Sequence, residues 1–209
     1  MNPSHNHRAA YTLIELLMVI SILAIVAAAL IPSASNGVSE QLEAGARVLA
    51  ADLDYARTLA VSHESKYRMA FDTSAQTWTL THTGTDTSLA PLPASPFHNL
   101  QDPTTQRTTR LRSLPGIGEP LSVHSVLAQG ATPTNVTDVE FDPLGSTTRS
   151  EETVIWLSGG AGGATRYVDV RINPVTGLAT VGSFRSTAPA AVSSSPFVVP
   201  GGQTAQVGP

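Results

Sequence analysis

Residues 11–31 read YTLIELLMVISILAIVAAALI, and all are apolar or small except Thr12, Glu15 and Ser21. At about 1.5 Å per residue this run makes a helix of roughly 30 Å, the thickness of one bilayer core. The residues ahead of it, MNPSHNHRAA, are polar with Arg8 as the one fixed positive charge. The positive-inside bias keeps that end cytoplasmic. The sequence therefore predicts a leader over residues 1–10 and a single membrane-spanning helix over 11–32.

Glu15 breaks the pattern. A carboxylate in an apolar run costs about 2.5–3.5 kcal/mol near a bilayer centre and less toward its edge. A plain anchor or a secretory h-region would not normally carry it. The residues leave two readings open. Glu15 sits one turn into the helix and reaches headgroup water. Alternatively it pairs with a cation, such as a new amine made by cleavage ahead of Tyr11 on a neighbouring subunit. A secretory signal peptide cut near Ala27-Ala28-Ala29 or Ser33-Ala34-Ser35 is the rival, and Glu15 and the weakly charged leader count against it.

Ala10 followed by Tyr11-Thr12-Leu13-Ile14-Glu15-Leu16 and a long apolar helix resembles the prepilin cleavage and methylation motif of type IV pilins and type II secretion pseudopilins. The resemblance implies that prepilin peptidase cuts between Ala10 and Tyr11 and N-methylates Tyr11. It also implies that Glu15 is the intersubunit charge partner and that Pro32 kinks the helix. Ala10 stands where the family has glycine; it is similarly small, so cutting is expected.

Beyond Pro32 the SASNG patch loosens the helix. Helical periodicity then resumes, with Leu42, Ala46, Leu49, Leu53, Ala56 and Ala60 on one stripe and most of the charges off it. This predicts an amphipathic helix over 33–65 that packs on its own domain. The character changes at Lys66. YRMAFD (67–72) and TWTLT (77–81), separated by a polar turn, read as a hairpin. Further strands are expected at 121–127, 136–141, 153–157, 166–172 and 178–184, with turns at 142–145 and 173–177. The fold class is α+β: a long N-terminal helix, transmembrane then amphipathic, packed on an antiparallel β-sheet over 66–185. The order helix, ARTLAV (56–61), FDPLG (141–145), IWL (155–157) and VDVRINPVTG (168–177) resembles the GspH/FimT group of minor pseudopilins, which implies a place in a short periplasmic filament.

Residues 83–135 are proline-dotted and read as a long loop with one strand near 109–114. The tail, 186–209, has no charge and reads as flexible, with Phe197-Val198-Val199 its one apolar island.

No enzyme is expected. The chain has no cysteine, which excludes thiol nucleophiles and Cys-based metal sites. Its histidines lack metal-ligand spacing and read as solvated. The glycine-rich run at 158–163 joins two strands instead of opening a helix, so it is no phosphate cradle. Asn135-Val136-Thr137 matches a sequon by chance. Neither cofactor nor metal nor small-molecule substrate is implied. Twelve Lys+Arg against sixteen Asp+Glu give a net charge of -4, against general nucleic-acid binding. Arg107, Arg110 and Arg112 form the one basic cluster, a candidate binding loop for adhesion or DNA uptake, although a solvated loop explains it more simply. The implied partners are prepilin peptidase, other pseudopilins or pilins, and the inner membrane. The chain would cross that membrane once, with its C-terminal domain in the periplasm or in an extracellular filament.

Overall fold

The computed structural model describes residues 12–30, 37–93, 102–115, 117 and 121–189. The leader, Tyr11, Pro32 and the tail beyond Pro189 lie outside them. The chain divides into two units, residues 1–37 and 38–209.

The first unit contains α1, Leu13–Leu30. Its eleven large apolar side chains from Leu13 to Val26 point in every direction around the axis, and each is at least half exposed. A helix that is apolar all round has no solvated face of its own. Ser21 is compatible with that, because its hydroxyl donates to the Leu17 carbonyl at 2.8 Å. Among the described residues no helix is long and apolar enough to cross a membrane.

The second unit is built on α2, Gly37–Ser62. All six expected stripe residues, Leu42 through Ala60, lose all solvent exposure. Gly45 lies beside the stripe, where an added Cβ would come within 2.8 Å of Leu121. The helix ends in a Schellman arrangement: Ser65 N–H donates to Ala60 O at 3.0 Å and Glu64 N–H to Val61 O at 3.3 Å. That geometry puts Glu64 at φ 49°, where glycine is the usual occupant.

Nine strands follow among the described residues. β1 (Tyr67–Asp72) and β2 (Thr77–His82) form the expected hairpin. β3 is Gln106–Arg110, β4 Ser122–Gln129, β5 Thr134–Asn135, β6 Asp138–Phe141, β7 Glu152–Gly159, β8 Arg166–Ile172 and β9 Ala179–Val181. They make two antiparallel sheets, one ordered β3-β2-β1-β6 and the other β5-β4-β7-β8-β9. A single core joins α2 to both: Tyr67, Met69, Trp78 and Leu80 from the first sheet, Ile155, Leu157, Val168 and Val170 from the second.

Three expectations change. The strand expected near 109–114 lies earlier, as β3, while the one expected at 121–127 is present as β4; Leu111, Ile117 and Leu121, in the stretch read as a loop, are buried in the core. The run 136–141 is not one strand: Val136 N–H bonds Val126 O in the second sheet, while Thr137 O accepts from Phe71 N–H in the first. The chain changes sheets there, and β6 begins only at Asp138. Finally, 178–184 is a strand only at Ala179–Val181; beyond it Gly182 N–H donates to Asp169 O at 2.8 Å and Arg185 bridges Tyr167. The outer face of the second sheet is not solvated either: Trp156, Val154 and Leu127 form a small second cluster, and Asp169 beside them is buried and paired with Arg171.

The Glu64 geometry gives a direct expectation. Glu64→Gly removes about 1–2 kcal/mol of left-handed strain and adds about 0.5–1 kcal/mol of chain entropy cost. Thermal unfolding should therefore rise by a few degrees, whereas an unchanged or lower midpoint would contradict the strain argument.

Candidate functional site

Two regions were singled out by their chemistry, the start of α1 and the arginine cluster.

At the start of α1, Thr12 is the N-cap. Its hydroxyl oxygen accepts from Glu15 N–H at 3.3 Å, and its carbonyl accepts from Glu15 and Leu16 N–H at 3.1 and 3.2 Å. Thr-x-x-Glu is half of a capping box, so Glu15 occupies the third helical position, where a carboxylate also meets the positive end of the helix dipole. The sequence reading missed this local role, although the four-residue spacing carried it. Among the described residues no cation pairs with the exposed Glu15 carboxylate. Ala10 and Tyr11 lie outside the described residues.

The arginines lie on an edge strand and the turn after it. Arg107 and Thr109 both reach Asp52 of α2 from β3. Asp52 sits three residues after Leu49 and four before Ala56, at the border of the buried stripe. Its Oδ2 accepts from Trp78 Nε1 at 2.7 Å and from Thr109 Oγ1 at 2.8 Å, and its Oδ1 from Arg107 Nη2 at 3.3 Å. Arg107 also lies over the Tyr55 ring, 4.9 Å from its centroid. Arg110 pairs with Asp102 at 2.8 Å, and this hydrogen bond and charge raise the Arg110 guanidinium above its ordinary value. Arg112 is exposed in the short helical turn Leu111–Ser113. An open groove of about 480 Å³ runs between Val48 and Asp52 of α2 and Arg107–Arg110 of β3. A phosphate entering it would have to compete with two carboxylates already bound to the guanidiniums. Arg107 and Arg110 are therefore charge-compensated, and Arg107 holds β3 to α2.

The described histidines are not free either. His63 Nδ1 lies 2.6 Å from the Tyr67 hydroxyl, and His82 Nε2 lies 2.7 Å from Ser65 Oγ. His124 packs edge-on against Tyr167. The first two contacts tie the end of α2 to the first hairpin, and none of the three was legible from spacing. Among the described residues no three His, Asp or Glu side chains converge as a metal site. The glycine-rich run does join β7 to β8, with Gly160 and Gly162 at positive φ.

Residues 5–31 match the family model described as the prokaryotic N-terminal methylation motif. No curated protein matches the chain. Two crystal forms of the type IV minor pilin FimU from Pseudomonas aeruginosa strain PAO1 resemble it at 18% identity and a TM-score of 0.43. They cover 73% and 71% of this chain and 95% and 98% of FimU.

The Asp52 geometry predicts that Asp52→Ala costs about 2–3 kcal/mol, because Trp78 Nε1 and Arg107 lose their acceptor while remaining largely buried. Asp52→Asn, which keeps one acceptor oxygen, should cost about half as much. Denaturant unfolding checks both, and a loss below about 0.5 kcal/mol for the alanine variant would refute the anchoring role.

Proposed function

We propose that this chain is a minor subunit of a type IV pilin-like filament, specifically of a type II secretion pseudopilus that serves protein export. The observation that carries the reading is the methylation motif at residues 5–31, which contains a helix with no polar face. Tyr11 and Ile31 extend the apolar run of the sequence beyond the two ends of α1 to the length a bilayer core requires. On this reading α1 anchors the unassembled subunit in the inner membrane, with the rest of the chain on the periplasmic side.

The mechanism follows from two energies. Apolar side chains distributed around α1 are as well served by neighbouring α1 helices as by lipid, so close packing and not water exclusion holds the bundle. Packing alone sets no register. Peptidase cutting after Ala10 leaves a methylated, positively charged amine on Tyr11, and Glu15 offers the opposite charge. At about 4 Å and an effective dielectric near 20, such a pair is worth about 4 kcal/mol before desolvation. In the correct register one subunit's amine meets a neighbour's carboxylate; in other registers both stay buried and unpaired, which costs more. The chain has no cysteine, whereas many major pilins carry a C-terminal disulfide loop, and the order of its C-terminal motifs resembles minor pseudopilins. The first leans away from a major pilin, and the second supports the pseudopilus reading. A minor type IV pilin for adhesion or DNA uptake is the alternative, and the internal pairing of Arg107 and Arg110 weighs against its DNA-binding form.

Two measurements test the reading. The intact mass of the protein made with prepilin peptidase should show loss of residues 1–10 and gain of one methyl group relative to the protein made without it. A mature chain still starting at Met1, or starting beyond Ile31, contradicts the proposal. Glu15→Gln preserves side-chain shape and removes the charge. It should leave cleavage intact and lower incorporation into filaments about tenfold, as read by shearing and immunoblotting; unchanged incorporation would refute the charge-register role.

A further inference from the structure

The outer face of the second sheet is dry, and its own side chains do not account for that. Trp156, Val154 and Leu127 stand there at 4%, 1% and 4% exposure. Among the described residues, the apolar side chain packed against the three is Tyr167 of β8, which belongs to the same sheet. The apolar face of a sheet loses its water under a second layer, not through its own neighbours alone. Two polar atoms in the face narrow what that layer is. Trp156 Nε1, a donor, and Asp169 Oδ1, an acceptor, are buried, and among the described residues neither has a hydrogen-bond partner. Trp156 and Asp169 are direct cross-strand partners, and the other Asp169 oxygen already accepts from Arg171 Nε. A cover of acyl chains or apolar side chains would leave both atoms unpaired, which is costly. A peptide segment offers a carbonyl to the indole and an N–H to the carboxylate.

The chain's own end leads to this face. Beyond β9, Arg185 and Tyr167 exchange two backbone bonds of 2.8 Å, so the chain follows the edge of β8. The Arg185 guanidinium then lies over the Trp156 ring, 5.3 Å from its centroid. The described residues end shortly after it, at Pro189. We propose that residues 190–209 fold back over the outer face as its second layer, with Phe197-Val198-Val199 against Trp156, Val154 and Leu127. The peptide groups of that segment then pair with Trp156 Nε1 and Asp169 Oδ1. The reach is sufficient: the eight residues from Pro189 to Phe197 span about 26 Å when extended. From β9 to β4, across β8 and β7, is about 15 Å at the usual strand spacing. Charge fits as well. Residues 190–209 carry no charged side chain, and Arg171 already pairs with both Asp169 and Glu152 on this face. A neutral segment therefore docks there without desolvating a charge of its own. A three-residue apolar island suffices because the tether supplies an effective concentration on the order of millimolar. The contact is internal to one chain and independent of the filament reading.

Fluorescence of the full chain in detergent tests this directly. The protein has two tryptophans, and Trp78 is in the core, so a change in quenching reports Trp156. Ending the chain at Pro189 should raise acrylamide quenching about twofold and move the emission to the red. Phe197→Ser, Val198→Ser and Val199→Ser together should do the same at unchanged length. A second measurement keeps the whole chain. No native cysteine is present, so an introduced pair reports without background. Ser125→Cys, at the position on β4 that pairs with Trp156, should close an intramolecular disulfide with Val198→Cys under mild oxidation. Thr79→Cys with Val198→Cys is the control, because Thr79 alternates with buried Trp78 and Leu80 and so lies on the outer face of the first sheet. The control should give about fivefold less disulfide. Unchanged quenching after both changes to residues 190–209, or equal yields from the two cysteine pairs, would overturn the proposal. A disulfide from Ser125→Cys that joins two chains would overturn it too, and would assign the cover to a second copy.

Discussion

Leu42, Ala46, Leu49, Leu53, Ala56 and Ala60 are free of solvent because one helix face must floor two sheets at once. A stripe that alternates leucine with alanine suits that task. Leucines reach into the space between the sheets, and alanines let strand side chains as large as Trp78, Tyr67 and Phe141 close over the backbone. The two sheets share no strand, so this face, together with the crossing at Val136 and Thr137, sets their mutual position. Losing its close packing would leave two small antiparallel sheets, each with one apolar side and no partner.

The polar exceptions to that core show how its border is built. Asp52 stands where the stripe ends and collects a tryptophan N–H, a threonine hydroxyl and a guanidinium. A carboxylate with so many donors compensates for its partial burial and ties α2 to the edge strand β3. His63 with Tyr67, and Ser65 with His82, do the same at the helix end. The charged side chains off the stripe are therefore not all surface decoration. Glu43 and Arg47 do face water as an i,i+4 pair, whereas Arg57 is spent on two loop carbonyls.

Elements whose burial follows a simple period were legible from sequence. The α2 stripe has period 3.6. β1 and β8 end where residue type alone places them, between Tyr67 and Asp72 and between Arg166 and Ile172. The polar strand β3 was not legible, because Gln-Arg-Thr-Thr-Arg has no apolar alternation: its inward side meets a carboxylate instead of a core. The sheet change at Val136 and Thr137 was hidden because both halves of that run are β-like. Buried Trp156 and Asp169 escaped because they lie on the face that a one-sided sheet would give to water. The methylation motif matched over residues 5–31 was legible as a pattern of residue types, while the cap that Thr12 gives to Glu15 is a backbone property.

The point where the chain passes from one sheet to the other has a mechanical consequence. Two successive residues, Val136 and Thr137, hold backbone bonds to different sheets, so neither sheet can slide along α2 without straining a single peptide link to the other. A load entering through the helix from its N-terminal end would meet both sheets as one sheared body. Unravelling would have to begin elsewhere, at strands such as β5 and β9 whose release leaves that link untouched.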